Sequence, residues 1–278
     1  MLDEFCDFLE EQGKAKNTLS SYRQAVKDYL IWYEATFGEP MQQLYRANAL
    51  DYISYLRTVK QLSNRSVNSK LAALQSLNEY LVSIGTQTDT VLSKRDYLKI
   101  QNAYANPSTV SREEVEAFRQ RVLVGSGARN YAIVTILAYA GLRISECLAL
   151  HLEDVSLTAR EITVRRGKGD KSRIVFVGDK VVNAVQEYLK ERPTTNCPYL
   201  FVSRRGGPLS RGQANRIFND YSEFLTPHAL RHFYCSYAIE VGYSINEVAN
   251  QAGHSNVHTT LLYTNPTREK MKEKANRL

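Results

Sequence analysis

The stretch TPHALRH, residues 226–232, places His228, Arg231 and His232 directly after Pro227. Thr226 can accept as an N-cap, and Pro227 suits the first helical position, where no amide hydrogen is needed. His228 then falls in the first turn and Arg231 one turn on, both on the same side. Cations at the positive end of a helix dipole cost stability unless an anion binds there. Three other places repeat the theme. Arg143 follows Gly141-Leu142 at a helix start, with Glu146 three residues on and able to hold it. Lys168 sits at the tip of RRGKGDKSR, where five of nine residues are basic. His254 follows Gly253, which suits a helix C′ position, and Tyr263 comes nine residues later in QAGHSNVHTTLLYT. Singly, each has an ordinary explanation: an ion pair, a solvated turn, a buried histidine, one of 18 tyrosines. Few structural demands would produce all of them in this order.

The elements that must carry these groups are legible. Residues 18–38 are helical in period, with Tyr22, Val26, Tyr29, Leu30 and Tyr33 in register, and NALDYISYLRTVK forms another helix. A third starts at Ser63 or Ser66 and stops at Gly85. Periodicity fades between about 86 and 110, so a helical domain is expected over 1–100 and a linker over 101–110. Ser111 and Glu114 match a capping box and open a second domain, 111–278. A core helix over 129–140 is followed by a turn at Gly141 and a helix from Arg143. Two β-branched runs, 161–165 and 173–177, flank the basic turn as a β-hairpin. Helices resume at VVNAVQEYLKER and near SRGQANRIFNDYSEF and continue to the end.

Bulk properties narrow the class. The 278 residues are 43% hydrophobic, enough for real cores, and the formal net charge of +7 favours polyanionic partners. Four scattered cysteines without a CxxC point to a reduced protein, with Cys147 and Cys235 on apolar faces and no zinc site. The apolar stretch 130–142 is too short to span a bilayer, and the acidic N-terminus is no signal peptide, so a soluble protein away from membranes is expected.

Together AGLRISECLALHLEDV, GKGDKSR, TPHALRH and AGHSNVHTTLLYT resemble the tyrosine recombinases, a family of phage integrases, chromosome-dimer recombinases and transposon resolvases. The resemblance covers about 108–278 by motif and is architectural over 1–105. It implies a mainly α fold with a small antiparallel β-sheet in the catalytic domain, and a two-domain C-shaped DNA clamp whose first domain is a SAM-like core-binding domain. Carried over by motif, the catalytic set is Arg143, Lys168, His228, Arg231, His254 and the nucleophile Tyr263. The chain as a whole is most similar to the cointegrate resolvases that replicative transposons encode. The resemblance further implies duplex DNA with inverted-repeat core sites as partner, a homotetramer on DNA joined by exchange of the C-terminal tail with Met271 as its apolar anchor, and a place in the bacterial cytoplasm.

The chemistry matches those residue types. A phosphodiester repels nucleophiles, and two guanidiniums forking onto its non-bridging oxygens, from Arg143 and Arg231, offset the charge that grows in the transition state. A phenol with pKa near 10 is ionised about once in a thousand at pH 7, a cost of roughly 4 kcal/mol that neighbouring cations reduce. His228 is the candidate base for Tyr263, Lys168 the acid for the leaving 5′ oxygen, and His254 a donor to the phosphate. Glu146 and His232 are supporting residues, and His258 falls on the opposite face. No carboxylate cluster for magnesium and no Walker-type loop accompanies the motifs, so no cofactor or metal is expected. Candidate DNA contacts are Arg65 and Lys70 in the first domain, Arg166 and Lys171 on the hairpin, and Arg204, Arg211 and Arg216 in SRRGGPLSRGQANR. Against a resolvase stand an integrase, excisionase or chromosome-dimer recombinase, a swivelling type IB topoisomerase, a regulator that binds DNA without cleaving it, and a metal-dependent nuclease.

Overall fold

The computed structural model describes residues 1–100, 110–165, 172–254 and 276. The chain divides into two compact units, Met1–Asn102 and Ala103–Leu278.

The first unit is a helical bundle of α1 (Leu2–Glu11), α2 (Lys16–Phe37), α3 (Arg46–Thr58) and α4 (Asn64–Ser83). Helix α4 starts where Ser63 accepts a hydrogen bond from the Ser66 amide, and α2 ends at Gly38 in the left-handed region. Phe5, Leu9, Val26, Tyr29, Leu74 and Leu77 are fully enclosed between the helices. The Tyr52 ring packs 5.0 Å from Tyr29, edge to face, and 4.9 Å from Trp32. Residues beyond Gly85 are not left loose. Buried Asn78 accepts from the Val91 and Leu92 amides, and Asn68 makes a two-way pair with the Leu98 backbone. Side-chain amides on α4 thus substitute for the periodicity that is missing there. The linker expected over 101–110 lies outside the described residues up to 109.

The second unit opens with α5 (Arg112–Ser126), whose capping box joins Ser111 and Glu114 reciprocally. Helix α6 (Ala128–Tyr139) is apolar all round because it is surrounded; Ala132, Ile133, Val134, Ile136, Leu137 and Ala138 are fully buried. Burial of an Ile or Leu side chain contributes roughly 1.5–3 kcal/mol. Short α7 (Ile144–Leu148) follows a turn in which Gly141 takes φ 64°. A three-stranded antiparallel sheet of β1 (Val155–Ser156), β2 (Glu161–Val164) and β3 (Arg173–Phe176) comes next, in the order β1-β2-β3. The hairpin pairs Glu161 with Phe176 and Val164 with Arg173. Strand β1 was not anticipated, since two residues are too few to show alternation. Helices α8 (Asp179–Glu191), α9 (Arg211–Tyr221), α10 (Pro227–Glu240) and α11 (Ile245–Ala252) follow among the described residues.

Helix α10 joins two cores. Leu230 and Phe233 face the main one, while Tyr234, Cys235 and Ala238 pack with Val248 and Ala252 of α11. Both Cys147 and Cys235 are fully buried free thiols, as their apolar settings suggested. Among the described residues no helix is long and apolar enough to cross a membrane.

Gly141 is required twice over. Its φ is positive, and a Cβ there would lie 2.2 Å from the Tyr234 ring. We expect Gly141→Ala to destabilise the chain by about 2 kcal/mol or more, from strain plus overpacking. Chemical denaturation measures this, and a loss under about 0.5 kcal/mol would contradict the close approach.

Candidate active site

Residues far apart in the chain meet where α7 begins, α10 begins and α11 ends. Thr226 accepts from the Ala229 amide and Pro227 occupies the first turn, so α10 starts as its sequence dictates. Arg231, one turn in, is only 5% exposed. Its guanidinium donates to the Gly141 carbonyl at 2.5 Å and to the Ala252 carbonyl at 2.6 Å. Arg143, the N-cap residue of α7, donates Nη2 to the Gly253 carbonyl at 2.8 Å. The two guanidiniums therefore hold the carbonyls of consecutive residues. Gly253 makes the αL cap of α11 (φ 66°), which turns the chain there. His254 follows at once, its amide bonded to the Ala249 carbonyl at 2.9 Å.

Glu146 anchors the group. One oxygen accepts from the Arg143 amide at 2.8 Å and the other from Arg143 Nη1 at 2.8 Å. Burial opposes its charge, but hydrogen bonds from Arg173 and Arg143 prevail and hold its carboxyl below the ordinary value. Arg173 is the residue that sequence reasoning missed. Within RRGKGDKSR it reads as one of five basic residues, yet its position in β3 sends it inward, with Nη1 and Nη2 on Glu146 and Nε on the Gln251 carbonyl. A Cβ on Gly253 would lie 2.6 Å from Arg173 Nη1, so the glycine also makes room for that side chain.

The electrostatics are those of a site awaiting an anion. Burial, then the charge of Arg143, lowers the Arg231 guanidinium to about 10. Burial chiefly, with Arg231 adding, lowers His228. Burial again leads in taking His232 and His254 down to about 4, with His228 next for the first and Arg231 and Arg143 next for the second. The imidazoles of His228 and His232 meet through Nε2 atoms 2.7 Å apart, one donating and the other accepting. At neutral pH all three rings are uncharged, which keeps the number of mutually repelling cations down.

Of the sequence-based candidates, Arg143, Glu146, His228, Arg231, His232 and His254 are thus brought into one neighbourhood. Lys168, Tyr263, Arg166, Lys171, His258 and Met271 lie outside the described residues. Among the proposed DNA contacts, Arg65 is exposed on α4, Arg211 opens α9, and Arg204 and Arg216 are exposed beside or on it. Lys70 instead pairs with Asp28 at 2.7 Å and is about three-quarters covered, so part of its charge is already matched.

Comparison with known proteins identifies the family. Residues 108–270 match the phage integrase family, and residues 1–87 match its N-terminal SAM-like domain. The chain belongs to this family and is a tyrosine recombinase. It is 46% identical over 275 residues to the TnP I resolvase of Bacillus thuringiensis, covering 98% of this chain and 97% of that one. It is 31% identical to the tyrosine recombinase XerA of Pyrococcus furiosus, covering 100% and 93% respectively. Among solved structures, XerA recombinase aligns with a TM-score of 0.55 at 26% identity over 99% of this chain and 97% of that one. The Tn1549 transposon integrase in complex with a circular intermediate DNA aligns with 0.74 at 19% identity, over 100% and 99%, and so supports the fold alone.

The depressed histidines have a sign that can be checked. Their folded values lie below the unfolded value of 6.5, so the unfolded chain binds more protons between about 4 and 6.5. Their contribution to stability is therefore complete above about pH 6.5 and is lost as the pH falls toward 4. We expect denaturation midpoints to drop across that window, and less steeply in His254→Gln; equal slopes for parent and variant would remove His254 from the effect.

Proposed function

We propose that this chain is a site-specific DNA recombinase that resolves transposon cointegrates, with Tyr263 as nucleophile. The observation that carries this reading is the meeting of Arg143 and Arg231 at consecutive carbonyls beside His254, with His228 on the same helix start as Arg231. Two guanidiniums and neutral imidazoles around a helix N-terminus suit the transition state of a phosphodiester displacement. Arg143, whose side chain is 30% exposed, reaches a non-bridging oxygen directly. Arg231 is more enclosed and also braces the Gly141 turn. His228 takes the phenolic proton, His254 donates to the phosphate, and Lys168 protonates the departing 5′ oxygen. The strand then hangs on the enzyme as a 3′-phosphotyrosyl diester, and because bond energy is kept, a second strand's 5′ hydroxyl can reverse the step through a Holliday junction. The likeness to the TnP I resolvase favours resolution over integration as the outcome.

The partner in this reading is duplex DNA carrying inverted-repeat core sites. Arg65, Arg204, Arg211 and Arg216 contribute to the grip in the described residues, together with Arg166 and Lys171. Phosphate contacts make affinity salt-dependent, log K falling by roughly 0.9 per neutralised phosphate for each tenfold rise in salt. Four protomers act together, coupled through the C-terminal tail. Removal of 267–278 is expected to leave DNA binding and impair recombination, and undiminished recombination would reject that role for the tail.

A nicked substrate bearing the cognate site tests the chemistry. The parent should become covalently trapped, Tyr263→Phe should bind without trapping, and Arg143→Ala should bind yet cleave at least 100-fold more slowly, on the order of 3 kcal/mol of transition-state stabilisation. Arg231→Ala is a poorer probe, since it strands two buried carbonyls and costs stability as well. Covalent trapping of Tyr263→Phe at the parent's rate would refute the assignment of the nucleophile. Joined recombinant products, rather than relaxed circles alone, separate a recombinase from a swivelling topoisomerase.

A further inference from the structure

Glu146 has a second claimant, and that competition sets what Arg143 can do. The carboxylate side chain is 4% exposed, and each of its oxygens accepts two hydrogen bonds. One takes Arg143 Nη1 at 2.8 Å and Arg173 Nη1 at 3.1 Å. The other takes the Arg143 amide at 2.8 Å and Arg173 Nη2 at 2.9 Å. Four bonds fill the acceptor capacity of a carboxylate. The fork-to-fork position, the strongest an arginine can hold on an acid, belongs to Arg173. All three of its side-chain nitrogens are engaged within the protein, since Nε is on the Gln251 carbonyl at 3.0 Å. Arg143 is left with one side-chain bond to the acid and one to the Gly253 carbonyl.

We propose that Arg173 is a positioning residue for catalysis: by occupying Glu146 bidentately it denies Arg143 that pairing and keeps the Arg143 guanidinium available to a phosphodiester. The charges argue the same way. One carboxylate shared between two guanidiniums leaves the trio with a net positive charge, and Arg231, bonded only to neutral carbonyls among the described residues, adds another. Without Arg173, Glu146 would match Arg143 one to one and turn its fork away from the anion. Arg173 also ties the start of β3 to α7, through Glu146, and to α11, through the Gln251 carbonyl. The inference rests on the proposed role of Arg143 at the scissile phosphate.

The test is single-turnover cleavage of nicked substrates by the full chain, carrying either the ordinary phosphodiester or an uncharged methylphosphonate at the scissile position. The variants are Arg173→Met, Arg173→Lys and the double variant Glu146→Gln/Arg173→Met, with DNA affinity and melting measured alongside. Arg173→Met is expected to bind DNA within about threefold of the parent and to cleave the phosphodiester roughly tenfold or more slowly, with Arg173→Lys between. On the methylphosphonate, where less charge needs neutralising, the deficit relative to the parent should shrink to about threefold or less. The double variant should cleave the phosphodiester faster than Arg173→Met, because a neutral amide no longer competes for Arg143. Equal slowing on both substrates, or a double variant slower than Arg173→Met, overturns the proposal in favour of a tether. The comparison within the phosphodiester decides even where the methylphosphonate reacts poorly. Should Arg173→Met not fold, Arg173→Lys with and without Glu146→Gln carries the same comparison, since lysine cannot fork onto the acid and leaves the bidentate position open to Arg143. A parent that forms no adduct at all would instead remove the recombinase reading, so the two failures are told apart.

Discussion

The second unit is organised around a carboxylate that has no business being buried unless it is surrounded. Glu146 gives up hydration, and an isolated ionised acid in that setting would neutralise or destabilise the fold. Four hydrogen bonds from two arginines offset the loss, and because the donors come from the start of α7 and from β3, satisfying one charge pins both. The same guanidiniums then reach on to the carbonyls that close α11, at Gln251 and Gly253. Removing Glu146 would leave two guanidiniums close together without their acid, which is why such a knot is costly to break even where its net contribution to stability is modest.

Beside this knot the chain tolerates repulsion. Arg143, Arg173 and Arg231 lie close enough to influence one another, with a single acid among them. Burial first, and the nearby positive charges after it, lower the pKa values of their neighbours His228, His232 and His254. An arrangement of this kind forgoes stability in the empty protein and recovers it when a negative group arrives, the usual balance at a site prepared for charge that develops during reaction. A tyrosine recombinase needs that balance, since its phenol must ionise, its phosphate must accept a nucleophile, and no group in the chemistry stores energy from outside.

Arg231 shows how one buried side chain ties distant parts of the fold together. It bridges the Gly141 turn to the end of α11, and the Tyr234 ring over Gly141 fixes where that turn sits. The position of Arg231 thus depends on a glycine and an aromatic ring. Under the proposed role of Arg231, changes there act on catalysis through position, where a displacement of about 1 Å can cost on the order of a hundredfold in rate.

What the sequence alone determined was local. Ser63, Ser111, Ser210 and Thr226 start their helices because a short polar side chain satisfies an amide three residues on, and Gly38 and Gly253 end theirs because only glycine enters the left-handed region cheaply. The hairpin, the all-apolar α6 and the pairing of Arg143 with Glu146 follow from spacings of a few residues. Sequence also named six of the groups that meet at the site, through motifs whose order is hard to reach by chance. The tertiary structure alone decided the rest. Arg173 is indistinguishable from its basic neighbours until β3 is docked against α7 and α11, and the pairing of Lys70 with Asp28 exists only once α4 packs beside α2. Residues 86–100 look unstructured until Asn68 and Asn78 supply partners from α4. Helix signals act across three or four residues along the chain, whereas the partner of a buried charge is chosen by which surfaces pack together, and no local pattern encodes that choice.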